Sequence, residues 1–387
     1  MTATATADAV VVGGGAMGTS IAYHLAAAGL GRVVVVEREA GLGLGSTGRC
    51  AGGFRHQFSS EINVRLSIAS VRMIREFSSI HGLPLDVHVE GYLFLVREEV
   101  AWAQHRAAAA MQRSLGVRVD ELDAAAVSGL IPGVSTDGLV GATFGPDDGI
   151  ADPSGLTNGY ATLARRLGAD IRLGAQATSI RTTADGGAVV GVDTPAGPVD
   201  APIVVNAAGV WAPALGETCG LDIPVTPERR INVVTSSFPG RPERRTLVID
   251  TSTMFFFHRE GAGVLMGVTP RDRTPTFDTS VDQRWIADEL LPIAIGVLPG
   301  LAEAGLARAW AGSYEMTPDR HAILGPVDGL DGLYLANGFS GHGFQHAPIV
   351  GTVIAELVTG RPPTVDVSAL RLERFTRGEL IEESHVV

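Results

Sequence analysis

The sequence predicts an α/β protein in which a nucleotide-binding domain is interleaved with a second domain built on a sheet. A strand, a glycine turn and a helix open the chain, and further strands leading into small residues follow near 202–209 and 333–345. The 387 residues are also enough for two domains. Because the nucleotide-binding elements lie at both ends and in the middle, we expect interleaved domains and not sequential ones.

The N-terminal unit has the spacing of a Rossmann-like dinucleotide-binding motif. Ala9–Val12 is an apolar run typical of a buried parallel strand. Gly13, Gly15 and Gly18 fit the pattern G-x-G-x-x-G, which allows a tight turn, close approach of a pyrophosphate and close packing of the helix. An amphipathic helix follows, and the free N–H groups at its start suit a phosphate.

The acid that closes this unit narrows the choice of dinucleotide. A second strand, Val33–Val36, ends at Glu37, nineteen residues after Gly18. An acid at this distance hydrogen-bonds ribose hydroxyls, and its charge would repel a 2′-phosphate. NADP is therefore disfavoured, whereas these residues alone leave FAD and NAD open.

Composition excludes several classes of function. A net charge of −12 and a pI near 5.3 argue against nucleic acid or an anionic membrane surface as partner. All 30 basic residues are arginine, which excludes Schiff-base chemistry, pyridoxal phosphate attachment and a Walker A lysine. Two cysteines are too few for a zinc cluster, and no spacing suggests a metal site. With no long apolar run and no secretory signal expected, we predict a cytoplasmic location.

The remaining elements are predicted from apolar periodicity and turn residues. We expect a hairpin turn at 185–187. Helices are expected at 62–80, 98–115, 160–167, 281–297 and 348–358, the last being the final helix. Strands are expected at 91–96, around Ile171, and at 202–209, 231–236, 246–249, 254–258, 263–268 and 333–336.

Two glycine-rich loops carry a resemblance to a known family. The first is Ser-Thr-Gly-Arg-Cys-Ala-Gly-Gly at 46–53, and the second is Gly-Phe-Ser-Gly-His-Gly-Phe at 338–344. With the motifs at 13–18, 206–211 and 316–319, they span nearly the whole chain. The chain resembles the FAD-dependent amine oxidoreductases of the D-amino-acid oxidase superfamily. It is most similar there to sarcosine oxidase β subunits, monomeric sarcosine oxidase, dimethylglycine dehydrogenase and proline dehydrogenase β subunits.

The resemblance implies FAD as cofactor, with its ring between the loops at 46–53 and 340–345. The FAD-binding domain would comprise 1–84, 146–224 and 312–387, and an α+β substrate-binding domain would comprise 85–145 and 225–311. The residues implied to bind FAD are Gly13, Gly15, Ala16, Met17, Gly18, Glu37, Arg38, Ser46, Thr47, Arg49, Cys50, Ala51, Gly52, Ala177, Ala208, Gly209, Trp211, Gly338, Gly341, His342, Gly343, Phe344 and Gln345.

Two positions depart from the family pattern. Where monomeric sarcosine oxidases attach flavin to a cysteine, this chain has Gly312, so we expect noncovalent FAD. Where they carry a lysine that helps O2 react, this chain has Leu265. Because a cation over the flavin stabilises developing superoxide, its absence favours a dehydrogenase, or an oxidase that uses another cation.

The expected reaction is hydride transfer from the carbon next to a substrate nitrogen to flavin N5, giving an imine. Arg55 is expected to bind a substrate carboxylate, with a phosphate contact or a surface ion pair as the alternative. Gln345 would donate an amide hydrogen bond to that carboxylate. His56 and His258 are candidates for keeping the amine neutral, with an ordinary polar role as the alternative. His342 is expected to position the flavin.

The expected substrates are secondary amines, imino acids or N-alkyl amino acids. A second hypothesis takes a D-amino acid, glycine or a 2-hydroxy acid. A third is a flavoprotein subunit that passes electrons within a heteromeric complex. The expected partners are therefore the substrate, O2 or another acceptor, and partner subunits or a homo-oligomer, with no nucleic acid and no membrane span.

Overall fold

The computed structural model of the chain describes residues 5–385. The strands within this range, numbered in chain order, are β1 Ala5–Thr6, β2 Ala9–Val12, β3 Val33–Val36, β4 Gly53–Phe54, β5 Val87–His88, β6 Tyr92–Val96, β7 Asp120–Leu122, β8 Gly141–Gly145, β9 Gly149–Ala151, β10 Asp170–Arg172, β11 Ser179–Thr182, β12 Val189–Asp193, β13 Val199–Asp200, β14 Val204–Asn206, β15 Thr226–Thr235, β16 Leu247–Asp250, β17 Phe255–Glu260, β18 Gly263–Val268, β19 Leu306–Met316, β20 Ile323–Pro326 and β21 Leu333–Asn337. The α-helices are α1 Ala16–Ala27, α2 Glu61–His81, α3 Glu99–Ser114, α4 Ala124–Leu130, α5 Pro153–Arg166, α6 Ala212–Glu217, α7 Gln283–Trp285, α8 Leu291–Val297, α9 Gly343–Val358 and α10 Arg374–Arg377.

A six-stranded sheet with the order β10-β3-β2-β14-β21-β20 carries the N-terminal motif. Its strands are parallel to their neighbours except for β20. Alternate valines of β2 and β3 face two different cores, one with α1 and α9 and one with the four-stranded sheet β1-β13-β12-β11. Burial on both faces explains why these strands are almost continuously apolar.

An eight-stranded sheet with the order β19-β15-β18-β17-β16-β6-β8-β7 forms the second large layer. Its pairs are antiparallel except for β16 and β6. The long strands β15 and β19 pair in a register that places Arg230 opposite Gly312. Helix α8 packs on the core of this sheet and continues the π-helical turn Ile286–Leu290.

A third, small sheet consists of strands that lie in the sequence between strands of the two large sheets. Its order is β4-β9-β5, and β4 directly follows the glycine-rich loop at 46–53. The strand β21 of the six-stranded sheet leads into the second glycine-rich loop and then into α9. Both loops are therefore anchored by a strand on one side.

The structure confirms the α/β fold class, and three helices differ from prediction. Helix α5 begins at Pro153, well before 160, because Asp152 caps it by accepting a hydrogen bond from Ser154 N–H at 2.9 Å. Helix α9 begins at Gly343 and contains Pro348, which we expected to start it. The helix predicted at 281–297 is interrupted by the π-helical turn Ile286–Leu290. In addition, α9 was expected to be the final helix, but the short helix α10 follows it.

No helix in the described range is long and apolar enough to cross a membrane.

Candidate active site

A groove of about 310 Å³ opens at the carboxyl ends of β2, β3 and β14, and we name it the dinucleotide groove. Ligands of open α/β sheets bind outside the carboxyl ends of the strands, so a nucleotide is expected here. The predicted cofactor residues that line it are Gly13, Gly15, Met17, Glu37, Arg38, Ser46, Thr47, Ala177, Ala208, Gly209 and Trp211.

The glycine turn is packed so closely that side chains are excluded. A Cβ on Gly13 would lie 2.4 Å from the Ala207 carbonyl oxygen, and one on Gly18 would lie 1.9 Å from the Gly13 carbonyl oxygen. Gly18 does not line the groove, so it serves strand–helix packing. Helix α1 starts after Gly15, whose position carries no side-chain cap, and Ala16 N–H donates to Thr47 Oγ1 at 3.2 Å, which leaves the N–H groups that follow it available to a phosphate.

Glu37 is buried at the end of β3, where it holds the glycine turn. Its Oε2 accepts a hydrogen bond from Gly14 N–H at 2.5 Å, and its Oε1 accepts one from Glu39 N–H at 2.7 Å. The guanidinium carbon of Arg38 lies 4.5 Å from the centre of the Trp211 ring. The contact of Glu37 with a ribose stays a prediction, which its position in the groove supports.

A second cavity, which we name the ring cavity, adjoins the groove because both are lined by Met17, Ser46, Thr47 and Glu315. One side consists of loops from the six-stranded layer, and the other consists of strands from the eight-stranded sheet. The further predicted cofactor residues on the first side are Ala16, Arg49, Cys50, Ala51, Gly52, Gly341, His342, Gly343, Phe344 and Gln345. The facing side chains are Tyr92, Arg230, Asn232, Leu247, Phe256, Val268 and Tyr314. Gly338 lines neither cavity.

The loop at 46–53 is fixed to the eight-stranded sheet by hydrogen bonds. Ser46 Oγ donates to the Ser313 carbonyl oxygen at 2.6 Å. The carbonyl oxygen of Arg49 accepts from Asn232 Nδ2 at 2.8 Å and from Trp310 Nε1 at 2.9 Å. A Cβ on Gly312 would lie 2.9 Å from that of Arg49, so the close approach of loop and strand requires a glycine there.

The loop before α9 needs glycine for a different reason. Gly341 has a φ of +97°, and a Cβ on it would lie 2.4 Å from the Tyr314 ring. The next residue, His342, is buried beside the start of α9, and its Nε2 has no hydrogen-bond partner in residues 5–385. Burial lowers the pKa of His342, and the nearby His346 and Arg55 lower it further, so the imidazole is neutral.

The structure does not bring the Arg55 guanidinium to either cavity. Its two terminal nitrogens donate hydrogen bonds to the carbonyl oxygens of Gln57 and His385. The guanidinium carbon lies 3.9 Å from the centre of the Phe58 ring and 5.9 Å from that of Tyr92. Arg55 therefore lies behind Tyr92, and its expected contact with a substrate carboxylate has no support from its position.

The other predicted substrate residues are also occupied by protein contacts. His56 Nδ1 donates to Asp148 Oδ1 at 2.6 Å, and neither residue lines the ring cavity. The ring nitrogens of His258 lie 2.9 and 3.1 Å from two backbone carbonyl oxygens, outside the ring cavity, and burial lowers its pKa. Gln345 lines the cavity, but its amide exchanges hydrogen bonds with the backbone of Arg55 at 3.0 and 3.1 Å. Catalytic roles for these three residues stay predictions.

Arg230 is a cavity residue that we did not expect from the sequence. It projects from β15 beside the Tyr314 ring, with its guanidinium carbon 4.7 Å from the ring centre. A partial signal was present, because Glu228, Arg230 and Asn232 are spaced by two and so share one face of a strand, but the charged Arg229 between them interrupts the alternation with apolar residues. Glu315 was also missed, because a single acid next to a family motif has no periodicity.

Comparisons with known proteins agree with this geometry. The model of the family described as "DAO: FAD dependent oxidoreductase" matches residues 8–357. The chain is 30% identical to FAD-dependent oxidoreductase domain-containing protein 1 of Xenopus laevis, over 98% of this chain and 85% of that protein. It is 29% identical to mitochondrial dimethylglycine dehydrogenase of Mus musculus, over 95% of this chain and 44% of that protein. The crystal structure of L-proline dehydrogenase from P. horikoshii matches with a TM-score of 0.90 and 30% identity, covering 98% of this chain and 100% of that one.

The two adjoining cavities also fit the cofactor of this family. The dinucleotide groove contains a glycine turn suited to phosphate and the acid Glu37, and it adjoins the ring cavity, one side of which is glycine-rich backbone. FAD needs this combination, because it joins an adenine dinucleotide to a planar ring. The chain belongs to the DAO family of FAD-dependent oxidoreductases.

Proposed function

We propose that the protein oxidises the C–N bond of a secondary amine or an N-alkyl or imino acid that carries a carboxylate. Bound FAD would supply a hydride acceptor at its ring, and the chain's residues bind and orient the substrate. The single observation that carries the proposal is the Arg230 guanidinium on the substrate side of the ring cavity. The relatives named for dimethylglycine and L-proline are consistent with it, since both molecules combine a substituted nitrogen with a carboxylate.

Arg230 has the properties of a carboxylate-binding residue. Its exposed fraction is 7%, and Glu228 Oε2 accepts one hydrogen bond from it at 3.0 Å. Its Nε has no hydrogen-bond partner in the described part of the chain. The guanidinium forms an ion pair with Glu228 at 3.0 Å and lines the ring cavity, so a substrate carboxylate would bind its terminal nitrogens, whose planar geometry it matches.

The groups around Arg230 disfavour a charged amine. Burial raises the pKa of Tyr92 and of Tyr314, so both hydroxyls stay protonated and can hydrogen-bond a nitrogen. Burial also raises the pKa of the Cys50 thiol to about 11, which keeps it neutral. These neutral groups place no negative charge beside a bound amine, and removal of the amine from water lowers its pKa; the neutral amine is the form that can lose a hydride.

The apolar part of the cavity would hold the substituents of the substrate. Leu247, Phe256 and Val268 face the same space as Arg230 and Tyr314. Apolar contacts on one side and a guanidinium on the other would orient an amino acid with its carboxylate away from the flavin loop. A D-amino acid, glycine or a 2-hydroxy acid would use the same arginine, so these substrates form the second candidate class.

Several finer features remain proposals. Noncovalent FAD is supported by the glycine at 312, which offers no nucleophile at the position noted above. The proposal of two interleaved domains is supported by which strands form each of the two large sheets. The FAD-binding domain would comprise 1–84, 146–224 and 312–387, and the substrate-binding domain 85–145 and 225–311. The electron acceptor, the partner subunits and the cytoplasmic location stay predictions from the sequence.

The test is anaerobic mixing of the purified holoenzyme with matched compounds while the absorbance of oxidised flavin is followed. N-methylglycine and proline are compared with dimethylamine and pyrrolidine, which lack the carboxylate, and with D-alanine and lactate. Bleaching by the first pair alone supports the proposal. Bleaching by D-alanine or lactate assigns the second class, and equal bleaching by the amines contradicts the role of Arg230.

A further inference from the structure

Glu315 lies where the dinucleotide groove and the ring cavity meet. It projects from β19 and lines both cavities, together with Met17, Ser46 and Thr47. These four residues therefore lie on the boundary between the cavities, which we name the passage. An FAD molecule with its ring in one cavity and its adenosine in the other would cross this boundary with its ribityl–pyrophosphate segment beside the Glu315 carboxyl.

The backbone before α9 holds the Glu315 side chain in this passage. Gly338 N–H donates to Oε2 at 3.0 Å, and Ser340 N–H donates to the backbone carbonyl oxygen of Glu315 at 3.0 Å. The Phe339 N–H also lies close to the carboxyl, and no arginine or histidine nitrogen of residues 5–385 forms an ion pair with it within 4.0 Å. No hydrogen bond of that range to Oε1 meets the distance and angle criteria, so this oxygen can serve a ligand.

Burial raises the pKa of Glu315 to about 7, and the N–H groups of Gly338 and Phe339 oppose this only in part. Charged side chains line the two cavities, Arg49 and Arg230 in one and Glu37, Arg38 and Glu39 in the other, but within the described residues none of them is hydrogen-bonded to the Glu315 carboxyl. The Tyr314 hydroxyl and the Cys50 thiol stay neutral because burial raises the pKa of both. His342 is neutral because burial lowers its pKa, and an Arg49 terminal nitrogen donates to the Ala311 carbonyl oxygen at 3.0 Å.

The chemistry of FAD determines which form of the carboxyl fits. The pyrophosphate is negatively charged, so an ionised carboxyl in the same passage would be repelled at low dielectric. A protonated carboxyl avoids this repulsion and donates a hydrogen bond to a phosphate or ribityl oxygen.

We propose that Glu315 binds the ribityl–pyrophosphate segment of FAD as a protonated carboxyl, donating from Oε1, so that FAD binding takes up a proton. The proposal depends on FAD alone and is independent of the substrate. Its sign follows from linkage: FAD binds the protonated form, so affinity is highest below the pKa of the free protein and falls as pH rises through it.

The test measures the Kd of FAD by the fluorescence released when holoenzyme is diluted, between pH 6 and pH 9. We expect the Kd of the unchanged protein to rise up to about 50-fold from pH 7 to pH 9, given a pKa near 7 in the free protein. Glu315→Gln keeps a donor but cannot ionise, so its Kd should vary less than about twofold over the same range. Glu39→Gln, a carboxyl on the same groove with a 42% exposed side chain, should retain the full pH dependence.

Two results would overturn the proposal. One is a Kd in the unchanged protein that is constant or falls towards pH 9, as an ionised carboxyl accepting from a ribityl hydroxyl would give. The other is the same pH dependence in Glu315→Gln. If that variant does not fold, infrared spectroscopy of the unchanged holoenzyme at pH 8 decides, because the carbonyl stretch of a protonated carboxyl should be present and its absence contradicts the proposal.

Discussion

Two arginines near the ring cavity differ in what their guanidinium groups already bind. The Arg55 guanidinium is surrounded by two backbone carbonyl oxygens and by aromatic faces, whereas Arg230 keeps Nε unbonded. The role of Arg55 was predicted from the family motif in the residues just before it. One of its hydrogen-bond partners, His385, however lies 330 residues later in the chain. No local pattern predicts that contact, whereas the two-residue spacing of Glu228, Arg230 and Asn232 is present in the sequence.

Arg230→Met is expected to lower kcat/KM for a carboxylate-bearing substrate by about 100-fold, because a buried charge-assisted hydrogen bond contributes roughly 3 kcal/mol. The same variant should change kcat/KM for the matched amine without a carboxylate by much less. Steady-state kinetics with both substrates give the comparison, and flavin absorbance checks that FAD is retained. An equal loss with both substrates would assign Arg230 to packing and not to substrate binding.

Arg55→Met is the contrasting variant for this prediction. It removes the donors to Gln57 and His385, so we expect the free energy of unfolding to fall by about 3 kcal/mol while KM stays within about twofold. Denaturant unfolding and KM measure the two effects separately. A large rise in KM at unchanged stability would restore Arg55 as the carboxylate-binding residue.

At the scale of elements, the sequence predicted the strands and helices that are determined by their own residues and not by distant contacts. The strands at β2, β3 and β18 and the helix α1 follow from short apolar runs and glycine stops. Helix α9 was placed too late because Pro348 favours a first helical position. In the structure α9 extends to Gly343, since Phe344 and Ala347 are buried in the same core as Ala16 and Phe54. Tertiary packing thus outweighs the lost hydrogen bond at the proline.

Gly341→Ala tests why the loop before α9 contains glycine, with Gly360→Ala as the matched control. Both glycines have positive φ, +97° and +69°, but only at Gly341 would a Cβ meet another residue, the Tyr314 ring. Gly360→Ala should cost about 1 kcal/mol through backbone strain. Gly341→Ala should lower the free energy of unfolding by at least about 2 kcal/mol more than Gly360→Ala, as measured by thermal unfolding. It should also raise the Kd of FAD, as measured by the fluorescence released on dilution. Equal effects of the two variants would rule out the contact with Tyr314 as the cause.

At the scale of the whole molecule, hydrogen bonds join segments that lie more than 300 residues apart in the chain. The tail, residues 381–385, docks against the start of α2 through Glu383. Its carboxylate accepts hydrogen bonds from N–H and hydroxyl groups of Ser59 and Ser60, from Asn63 Nδ2 and from His385 N–H. Burial would raise the pKa of Glu383, but these hydrogen bonds outweigh it and hold the pKa well below its usual range.

Glu383→Ala should therefore release the tail and lower the free energy of unfolding by about 3 kcal/mol at pH 7, because several buried donors lose their acceptor. The neighbouring Glu382 is exposed, so Glu382→Ala should change the free energy of unfolding by less than about 0.5 kcal/mol.

The contribution of Glu383 should depend on pH. A lowered pKa in the folded state stabilises the protein above the unfolded-state pKa of about 4.3, and this contribution is lost as pH falls below it. The difference between the unchanged protein and Glu383→Ala should accordingly narrow between pH 5 and pH 3 in denaturant unfolding. Hydrogen exchange at the start of α2 should rise in Glu383→Ala alone, and a pH-independent difference would show that lost packing, and not the charge of Glu383, holds the tail.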